Sequence, residues 1–411
     1  MKKLKSNGGT EIFTKITYRF VKETLFLIRR IDMAITVELA VLTRPFRRRL
    51  RIFNLDLHTS LIEDLKVGLA DFDVKLVSWS VSGNNRNFRK FYKIPDPVKG
   101  IYGKSWLELQ KGDFDIFREK YKRYLRTFDG FIVCFPPAFA EIFVEFEKPI
   151  LVYFGTRYEA PFTNSVDDWD FLNSVLTSGQ KTGQINFVTN NLADLNYYKY
   201  FTESTAAYLP SLCDYTKAEW VQGGNQKVIF SRDERIAAEV SLKTDCAWLS
   251  PQMAFGKAYS WKTLSQVEEV LVIPYNISTM TLFELATLGI PVSIPSAQFL
   301  ETLMLRFEGI LSELSFFTVL QLSLEELDEA NPNRIDLKEI REWWIRYADF
   351  YNAELMPNVR LIDSFEDLNT PHPFLLLPFL ETRQTVEERN ARLRAQRFSL
   401  LHDFVSDITN M

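Results

Sequence analysis

The stretch VLVIPYNISTMTLFELATLGIPVSIPS, residues 270–296, decides the fold. An apolar run comes first, a run with helical spacing follows, and a second apolar run ends the stretch. This order predicts a strand over 270–276, a helix over 278–289 and a strand over 290–296. Because apolar strands that alternate with helices are typical of parallel sheets covered on both faces, the stretch predicts a βαβ unit.

The start of the predicted helix has the features of an anion-binding site. Ser278 is predicted to cap the helix, which leaves the backbone amides of Thr279, Met280 and Thr281 free at its positive end. Free amides and the helix dipole both favour a negatively charged group at such an end. A diphosphate therefore fits this position without a glycine-rich loop.

The spacing Glu284-x4-Gly289-x-Pro291, entered from a strand that ends in Pro274, resembles the donor-binding signature of the GT-B glycosyltransferases. The resemblance implies that Glu284 accepts hydrogen bonds from the ribose hydroxyls of a nucleotide. A carboxylate suits that task because charged acceptors make the stronger hydrogen bonds. A capped helix that carries a surface glutamate and ends in glycine is the structural alternative.

The chain departs from the GT-B pattern at one position. Many retaining members of the superfamily carry another glutamate eight positions before the one that corresponds to Glu284, and this chain has Asn276 there. An amide must then replace the carboxylate near the sugar, or the contact is absent. Retention or inversion at the anomeric carbon is left open.

The rest of the second half continues the alternation of strands and helices. Strands are predicted for KVIFSRD (227–233) and DCAWLS (245–250), and helices for DERIAAEVSLK and SWKTLSQVEE. Residues 227–375 are therefore predicted to form a Rossmann-like donor domain. The resemblance implies basic groups near its donor phosphates, and Arg232 and Lys257 occupy such places; solvated surface charges are the alternative interpretation.

The first half shows the same alternation. Strands are predicted at 51–58, 74–82, 128–136, 149–155 and 185–191, and helices at 60–72 with a serine cap, 105–126, 137–147 and 193–201. This pattern predicts a Rossmann-like acceptor domain over 51–215. A polar linker over 216–226 and a C-terminal helix within 376–411 that packs back across the domains complete the predicted GT-B architecture.

Two residues at the end of the first predicted strand are candidate catalytic groups. Ligands in doubly wound sheets bind at the carboxyl ends of strands, so the active site is expected in the cleft between the domains. His58 ends the run DLH, and an imidazole that titrates near neutral pH can take a proton from an attacking sugar hydroxyl. Asp56 is a candidate orienting partner or competing base, and the alternative is that His58 is a polar loop residue.

The stretch GTRYEAPFT (155–163) follows another predicted buried strand. Arg157, Tyr158 and Glu159 stand at that strand end, and charged and aromatic side chains together suit a hydroxylated acceptor. A structural loop with an arginine–glutamate pair is the alternative. The runs RYEAPF and NNLADLNYYKYFTESTAAYLPSLCDYT also resemble glycosyltransferases of algal large DNA viruses and some microbes, which implies glycan assembly with a hexose or a deoxyhexose.

Composition excludes several classes of protein. The chain has 411 residues, of which 46% are hydrophobic, so it can bury two cores. With 49 basic and 53 acidic side chains, nucleic acid is not an expected partner. No metal site is predicted, because the cysteines and histidines are few and scattered (Cys134, Cys213, Cys246, His58, His372 and His402).

The N-terminal 50 residues differ from the rest of the chain. Residues 44–51 (RPFRRRLR) hold five arginines, and basic residues alternate with apolar ones from residue 11 onward. This pattern predicts a basic amphipathic extension that lies on an anionic membrane surface or docks on the acidic body of the protein. The chain shows neither a long apolar run nor a secretory signal core, so a cytoplasmic protein with candidate peripheral membrane contact through residues 11–51 is expected.

Taken together, these patterns predict an enzyme that moves a sugar from a nucleoside diphosphate sugar to a glycan or other hydroxyl acceptor. The donor is a substrate rather than a cofactor, and the GT-B resemblance implies that no metal is required. Two other hypotheses stay open. One is a GT-B-fold epimerase that acts on the sugar nucleotide itself, and the other is a catalytically silent scaffold or membrane-docking protein.

Overall fold

A computed structural model describes residues 49–81, 92–93, 101, 108–162, 165–257, 259–312, 331–332 and 337–410. The predicted basic extension lies almost entirely outside these residues. Within them, strands and helices alternate along the chain from Leu50 to Ile362, and helices follow to Asn410.

The first half of the chain forms a parallel sheet of seven described strands in the order β3-β2-β1-β4-β5-β6-β7. The central strands are buried on both faces, as the apolar runs predicted. The strands are β1 (Leu50–Asp56), β2 (Val74–Ser80), β3 (Tyr92–Lys93), β4 (Gly130–Val133), β5 (Ile150–Phe154), β6 (Ile185–Thr189) and β7 (Ala207–Tyr208).

The helices of this half cover the two faces of the sheet. They are α1 (Thr59–Leu69), α2 (Lys111–Leu125), α3 (Glu141–Val144), α4 (Val166–Lys181) and α5 (Leu192–Thr202). The predicted helix over 137–147 is instead a 3₁₀ turn, Pro137–Ala140, followed by one turn of α-helix. Helix α4 was not predicted, because only Leu172, Leu176 and Gly179 are buried along its 16 residues.

The second half forms a smaller parallel sheet in the order β12-β11-β10-β8-β9. Its described strands are β8 (Lys227–Phe230), β9 (Trp248–Leu249), β10 (Glu269–Val272), β11 (Val292–Pro295) and β12 (Val359–Ile362). The accompanying helices are α6 (Glu234–Lys243), α7 (Pro251–Phe255), α8 (Trp261–Leu264), α9 (Met280–Leu288), α10 (Ala297–Met304), α11 (Leu337–Arg346) and α12 (Pro373–Leu376). The predicted α/β class with two Rossmann-like units is confirmed.

The long C-terminal helix α13 (Phe379–Asn410) contacts both units. Near its start, the Arg389 guanidinium donates to the Thr287 hydroxyl at 3.0 Å, in the second unit. Further along, Arg397 is buried and pairs with Asp64 of α1 at 3.1 Å and with Asp214 between the units at 2.8 Å. Because a charge is costly to bury without a partner, these pairs tie the two units to one helix.

The carboxyl-terminal edges of the two sheets face each other. Arg157, in the loop after β5, donates to Asn276, in the loop after β10, at 2.8 Å. The Asn190 amide, after β6, lies 3.5 Å from the Met280 sulfur at the start of α9. These contacts place the loops that carry ligands in doubly wound sheets on either side of one cleft.

Candidate functional site

Each sheet reverses its strand order at one point, where the loops diverge and leave a crevice. The first sheet does so between β1 and β4, and the second between β8 and β10. Ligands of open α/β sheets bind in such crevices, at the carboxyl ends of the strands. The residues that follow these four strands are therefore the first to consider.

The first crevice contains Asp56 at the end of β1. Its carboxyl group is fully buried and accepts the His58 backbone N–H at 2.6 Å and the Phe135 backbone N–H at 3.3 Å. Burial raises the pKa of Asp56 to about 8, against the opposing effect of these hydrogen bonds. The side chain points inward and holds the backbone of the loop, which weighs against the predicted role of Asp56 as base or imidazole partner; that role stays a prediction.

His58 stands at the mouth of the same crevice. Its side chain reaches solvent, and its Nδ1 lies 2.9 Å from the Ser60 hydroxyl. The protein that surrounds it lowers the pKa of the imidazole, so the neutral form predominates near pH 7. Ser60 was predicted to cap the following helix, but α1 begins at Thr59 and the Ser60 hydroxyl bonds the imidazole instead.

The second crevice contains Arg232 and Tyr275. Arg232 follows β8, and its exposed guanidinium stacks over the Tyr275 ring, which follows β10, at 3.7 Å. The two side chains mark the point where the strand order reverses. An open depression of about 390 Å³ beside them is lined by Arg232, Asp233, Glu234, Arg235, Glu308 and Gly309.

Lys257, the second predicted phosphate contact, is exposed in the loop after α7. The helix before it is short, and Gly256 takes a positive φ of 81° to end it. The role of Lys257 as a phosphate contact stays a prediction.

Helix α9 begins at Met280, so its N-cap lies one residue later than predicted. Thr279, with extended backbone angles, is the N-cap residue, and its side chain makes no capping hydrogen bond; the predicted cap at Ser278 is wrong. Met280 and Thr281 form the first turn, and the Leu282 N–H bonds back to the Thr279 carbonyl at 3.1 Å. The Met280 side chain packs against a buried cluster of the first unit, and its sulfur lies 3.5 Å from the Asn190 amide, so the start of α9 lies at the edge of the first sheet.

Glu284 lies in the second turn of α9 and is nearly buried. Its side chain is 5% exposed, and its Oε1 accepts the Tyr215 hydroxyl at 2.5 Å. Burial raises the pKa of Glu284 to about 7, so the carboxyl group ionises close to neutral pH. The Tyr215 ring meets the Trp261 ring edge-on at 6.4 Å, which provides aromatic surface beside the carboxyl group.

Gly289 ends α9 for a structural reason. Its φ is 73°, and the N–H of Gly289 and of Ile290 close the helix on the carbonyls of Ala286 and Leu285. A Cβ at Gly289 would also lie 3.0 Å from Val386 of α13. The glycine in the predicted donor motif is therefore required by backbone geometry and by packing.

Asn276 takes part in the contact between the units. Its Oδ1 accepts the Arg157 hydrogen bond, and the Arg157 Nε lies 3.3 Å from Asp194 Oδ1. The Arg157 guanidinium also lies 5.0 Å from the centre of the Trp344 ring. Arg157 and Asp194 are fully buried, so this cluster joins the two sheet edges.

Tyr158 and Glu159 are fully buried as well, which argues against the predicted acceptor role of the Arg157–Glu159 loop. The Tyr158 hydroxyl donates to Asn173 at 2.7 Å, and Glu159 accepts the Tyr197 hydroxyl at 3.0 Å. Burial raises the pKa of Glu159 to about 7. The alternative of a structural loop describes these three residues better.

Two residues at the site, Tyr215 and Tyr275, were not predicted from the sequence. Tyr215 lies beside the predicted linker, 69 residues before the glutamate to which it donates. Tyr275 is a half-buried residue between a strand and a helix. The one sequence signal for both residues is their position beside a strand end or a linker, where ligand-binding residues are common.

Among the described residues, no group of three or more histidine, cysteine, aspartate or glutamate side chains is placed to hold a metal ion. None of the described helices combines the length and the apolar composition that crossing a bilayer requires.

Comparison with known proteins gives structural likeness at low identity. No family model and no curated protein matches the sequence. Among solved structures, a kitacinnamycin glycotransferase is 10% identical, covering 88% of this chain and 100% of its own, with a TM-score of 0.43. The spinosyn forosaminyltransferase SpnP is 9% identical over 88% of this chain and 100% of its own, with a TM-score of 0.44.

The spinosyn rhamnosyltransferase SpnG is 9% identical over 87% of this chain and 100% of its own, with a TM-score of 0.43. At these values the likenesses identify neither a family nor a substrate. The narrower resemblance to glycosyltransferases of algal viruses gains no support from them.

Proposed function

We propose that the protein is a glycosyltransferase of the GT-B type, which moves a sugar from a nucleoside diphosphate sugar to a hydroxyl acceptor. The observation that carries the proposal is the position of Glu284. It is a nearly buried carboxylate in the second turn of a helix that begins at the edge of the second sheet, and that edge faces the one that carries His58.

The donor would lie along the edge of the second sheet. Its diphosphate would approach the first turn of α9 at Met280 and Thr281, where the helix dipole favours negative charge. Arg232 would supply positive charge beside the diphosphate, at the point between β8 and β10 where the strand order reverses. Lys257 is a second candidate for a phosphate contact. The nucleoside hydroxyls would then bond Glu284, with the aromatic side chains beside it as the surface for the base.

The acceptor would enter from the side of the first sheet. His58 is largely neutral near pH 7 and reaches solvent, so it can take the proton of an acceptor hydroxyl. The acceptor oxygen then bonds the anomeric carbon while the bond from that carbon to the diphosphate oxygen breaks, and the diphosphate leaves with the electron pair. Positive groups at the second edge would stabilise that leaving group.

Binding of nucleoside diphosphates to matched variants tests the donor site. Calorimetry with a panel of nucleoside diphosphates should show one that binds the wild type and binds Glu284→Ala at least about tenfold more weakly, since a hydrogen bond to a charged group contributes roughly 1.5–3 kcal/mol. Glu388→Ala, an exposed glutamate of α13, is the control and should bind as the wild type does. Unchanged affinity in a folded Glu284→Ala protein would contradict the assignment.

Product analysis separates transfer from the other hypotheses. Incubation with the bound sugar nucleotide in the absence of acceptor should give at most slow hydrolysis, whereas an epimerase would give an isomeric sugar nucleotide. A scaffold would bind no nucleotide. Vesicle flotation of the full chain then tests whether residues 11–51 contact anionic membranes.

A further inference from the structure

The Glu284 carboxylate has two oxygens, and only one of them is hydrogen-bonded to the described part of the chain. Oε1 accepts the Tyr215 hydroxyl at 2.5 Å. Oε2 accepts no hydrogen bond from the part of the chain that the structure describes. With 5% of the side chain exposed, the opening to Glu284 is narrow.

Tyr215 is held firmly in this position. It lies in a 3₁₀ turn, Asp214–Thr216, whose first residue pairs with Arg397 at 2.8 Å and with Arg394 at 3.2 Å. The residues on either side of the turn, Cys213 and Lys217, have positive φ angles of 58° and 48°. A turn anchored by two arginines of α13 cannot easily withdraw its tyrosine when a ligand arrives.

Moving Tyr215 away would also leave its hydroxyl and the Glu284 carboxyl group, both shielded from water, without the hydrogen bond that joins them. The Tyr215 hydroxyl is largely enclosed by protein, which raises its pKa well above the usual value, and the carboxyl group of Glu284 is nearly buried. Separating such a pair incurs the desolvation cost of both groups. The bond from Tyr215 to Glu284 therefore persists when a nucleotide binds at Oε2.

We propose that Tyr215 makes the nucleoside site of this protein indifferent to the 2′-hydroxyl, so that 2′-deoxyribonucleoside diphosphates bind as well as ribonucleoside diphosphates do. This inference rests on the proposed function, because it assumes that Glu284 contacts the nucleoside. A free carboxylate would accept the two neighbouring hydroxyls of ribose on its two oxygens. Here the Tyr215 hydroxyl already donates to Oε1, so a 2′-hydroxyl would add only a second hydrogen bond to an oxygen that already has one, whereas the 3′-hydroxyl would supply the first hydrogen bond to Oε2.

The test is calorimetry with matched pairs of ligands that differ only in the 2′-hydroxyl: UDP and dUDP, ADP and dADP, GDP and dGDP. Measurements at pH 8, above the pKa of about 7, keep Glu284 ionised. For the base that binds, the wild type should bind both members within about threefold. Tyr215→Phe frees Oε1 and should bind the ribonucleotide about tenfold more tightly than its deoxy partner, the usual value of a hydrogen bond to a charged group.

Tyr259→Phe is the matched control. Tyr259 lies near enough to Glu284 for the carboxylate to raise its pKa, although burial contributes more, and it makes no direct hydrogen bond with Glu284. This variant should keep the wild-type ratio of affinities. Circular dichroism and melting temperature check that each variant is folded.

Two results would overturn the inference, and they are distinguishable. A wild type that loses tenfold or more on removal of the 2′-hydroxyl, with the same ratio in Tyr215→Phe, would show that Tyr215 leaves both oxygens to the ribose, while the proposed function stands. A folded wild type that binds none of the six nucleotides would overturn the proposed function and the inference with it.

Discussion

The two crevices of the molecule use similar residues in opposite ways. At the first, the carboxylate of Asp56 is fully buried and holds backbone N–H groups, while the imidazole of His58 reaches solvent. At the second, Arg232 is exposed, and one carboxylate oxygen of Glu284 accepts the Tyr215 hydroxyl while the other accepts no hydrogen bond from the described residues.

The difference suggests a division of labour between the two sheets. The first crevice presents a group that can move a proton, and the second presents positive charge, a helix start and a hydrogen-bond acceptor. Chemistry at one edge and recognition at the other would explain why the protein needs two units held face to face. Substitutions of His58 and Arg232 test these two roles, and substitutions of Arg397 and Glu159 test how buried charged groups affect the stability of the protein.

The largest effect is expected at the first crevice. His58→Ala should lower kcat by about 10²–10⁴-fold, because general-base catalysis contributes that much. The affinity for the donor should stay within about twofold, because the proposed donor site lies at the other edge. Steady-state kinetics with calorimetry checks both numbers. His402→Ala, an exposed histidine of α13, is the control. A kcat within threefold of the wild type would exclude His58 as the base.

The pH profile of the wild type sharpens the same point. The base must be neutral to accept a proton, and its surroundings lower the pKa of His58. With saturating donor, so that protonation of Glu284 below its pKa of about 7 does not limit binding, kcat should therefore fall on acidification only at a pH below 6.5, the ordinary pKa of histidine, and His58→Ala should lack that limb.

The next largest effect is expected on the free energy of unfolding, at the ion pairs that Arg397 of α13 makes with the first unit and with the segment between the units. Arg397→Ala leaves Asp64 buried without its partner, so the free energy of unfolding should fall by about 3–5 kcal/mol. Arg383→Ala removes an exposed pair with Glu219 and should lower it by at most about 1 kcal/mol. Urea unfolding compares the two. Equal losses would mean that α13 does not hold the units together through Arg397.

Glu159, a buried glutamate like Glu284, should make the free energy of unfolding depend on pH by about 3 kcal/mol. The pKa of Glu159 is raised from 4.5 to about 7, so the folded state holds its proton more tightly than the unfolded state, and stability falls as pH rises between these values. Glu159→Gln removes this ionisation, so its free energy of unfolding should fall less than that of the wild type between pH 5 and pH 7.5. Parallel curves for the two proteins would contradict the burial argument.

The smallest effect is expected at the exposed cation of the second crevice. Arg232→Ala should weaken binding of the nucleoside diphosphate by about three- to tenfold at low salt and less at high salt, because exposed charges are screened. Arg235→Ala in the same depression is the control, since its guanidinium is already paired with Asp233 at 2.5 Å. Equal affinity in wild type and Arg232→Ala would place the diphosphate elsewhere.

Local signals predicted the elements that surround the site. The stretch from β10 to β11 was predicted because its strands are uniformly apolar and its helix ends in Gly289, which takes the left-handed conformation. Strand β12 was missed for the converse reason. Its Arg360 is buried through a 2.7 Å pair with Glu269, and an arginine in a run of four residues hides the pattern of a buried strand.

The amino-acid sequence by itself determined most of the alternating strands and helices, and with them the strand ends that His58 and Arg232 follow and the helix that carries Glu284, because these follow from periodicity and turn residues within a few positions. Only the tertiary structure decided which of these groups are available. The contacts from Tyr215 to Glu284 and from Arg157 to Asn276 join residues 69 and 119 positions apart. Burial, which turned Asp56 and Glu159 inward, depends on all the elements packed around them and has no local pattern.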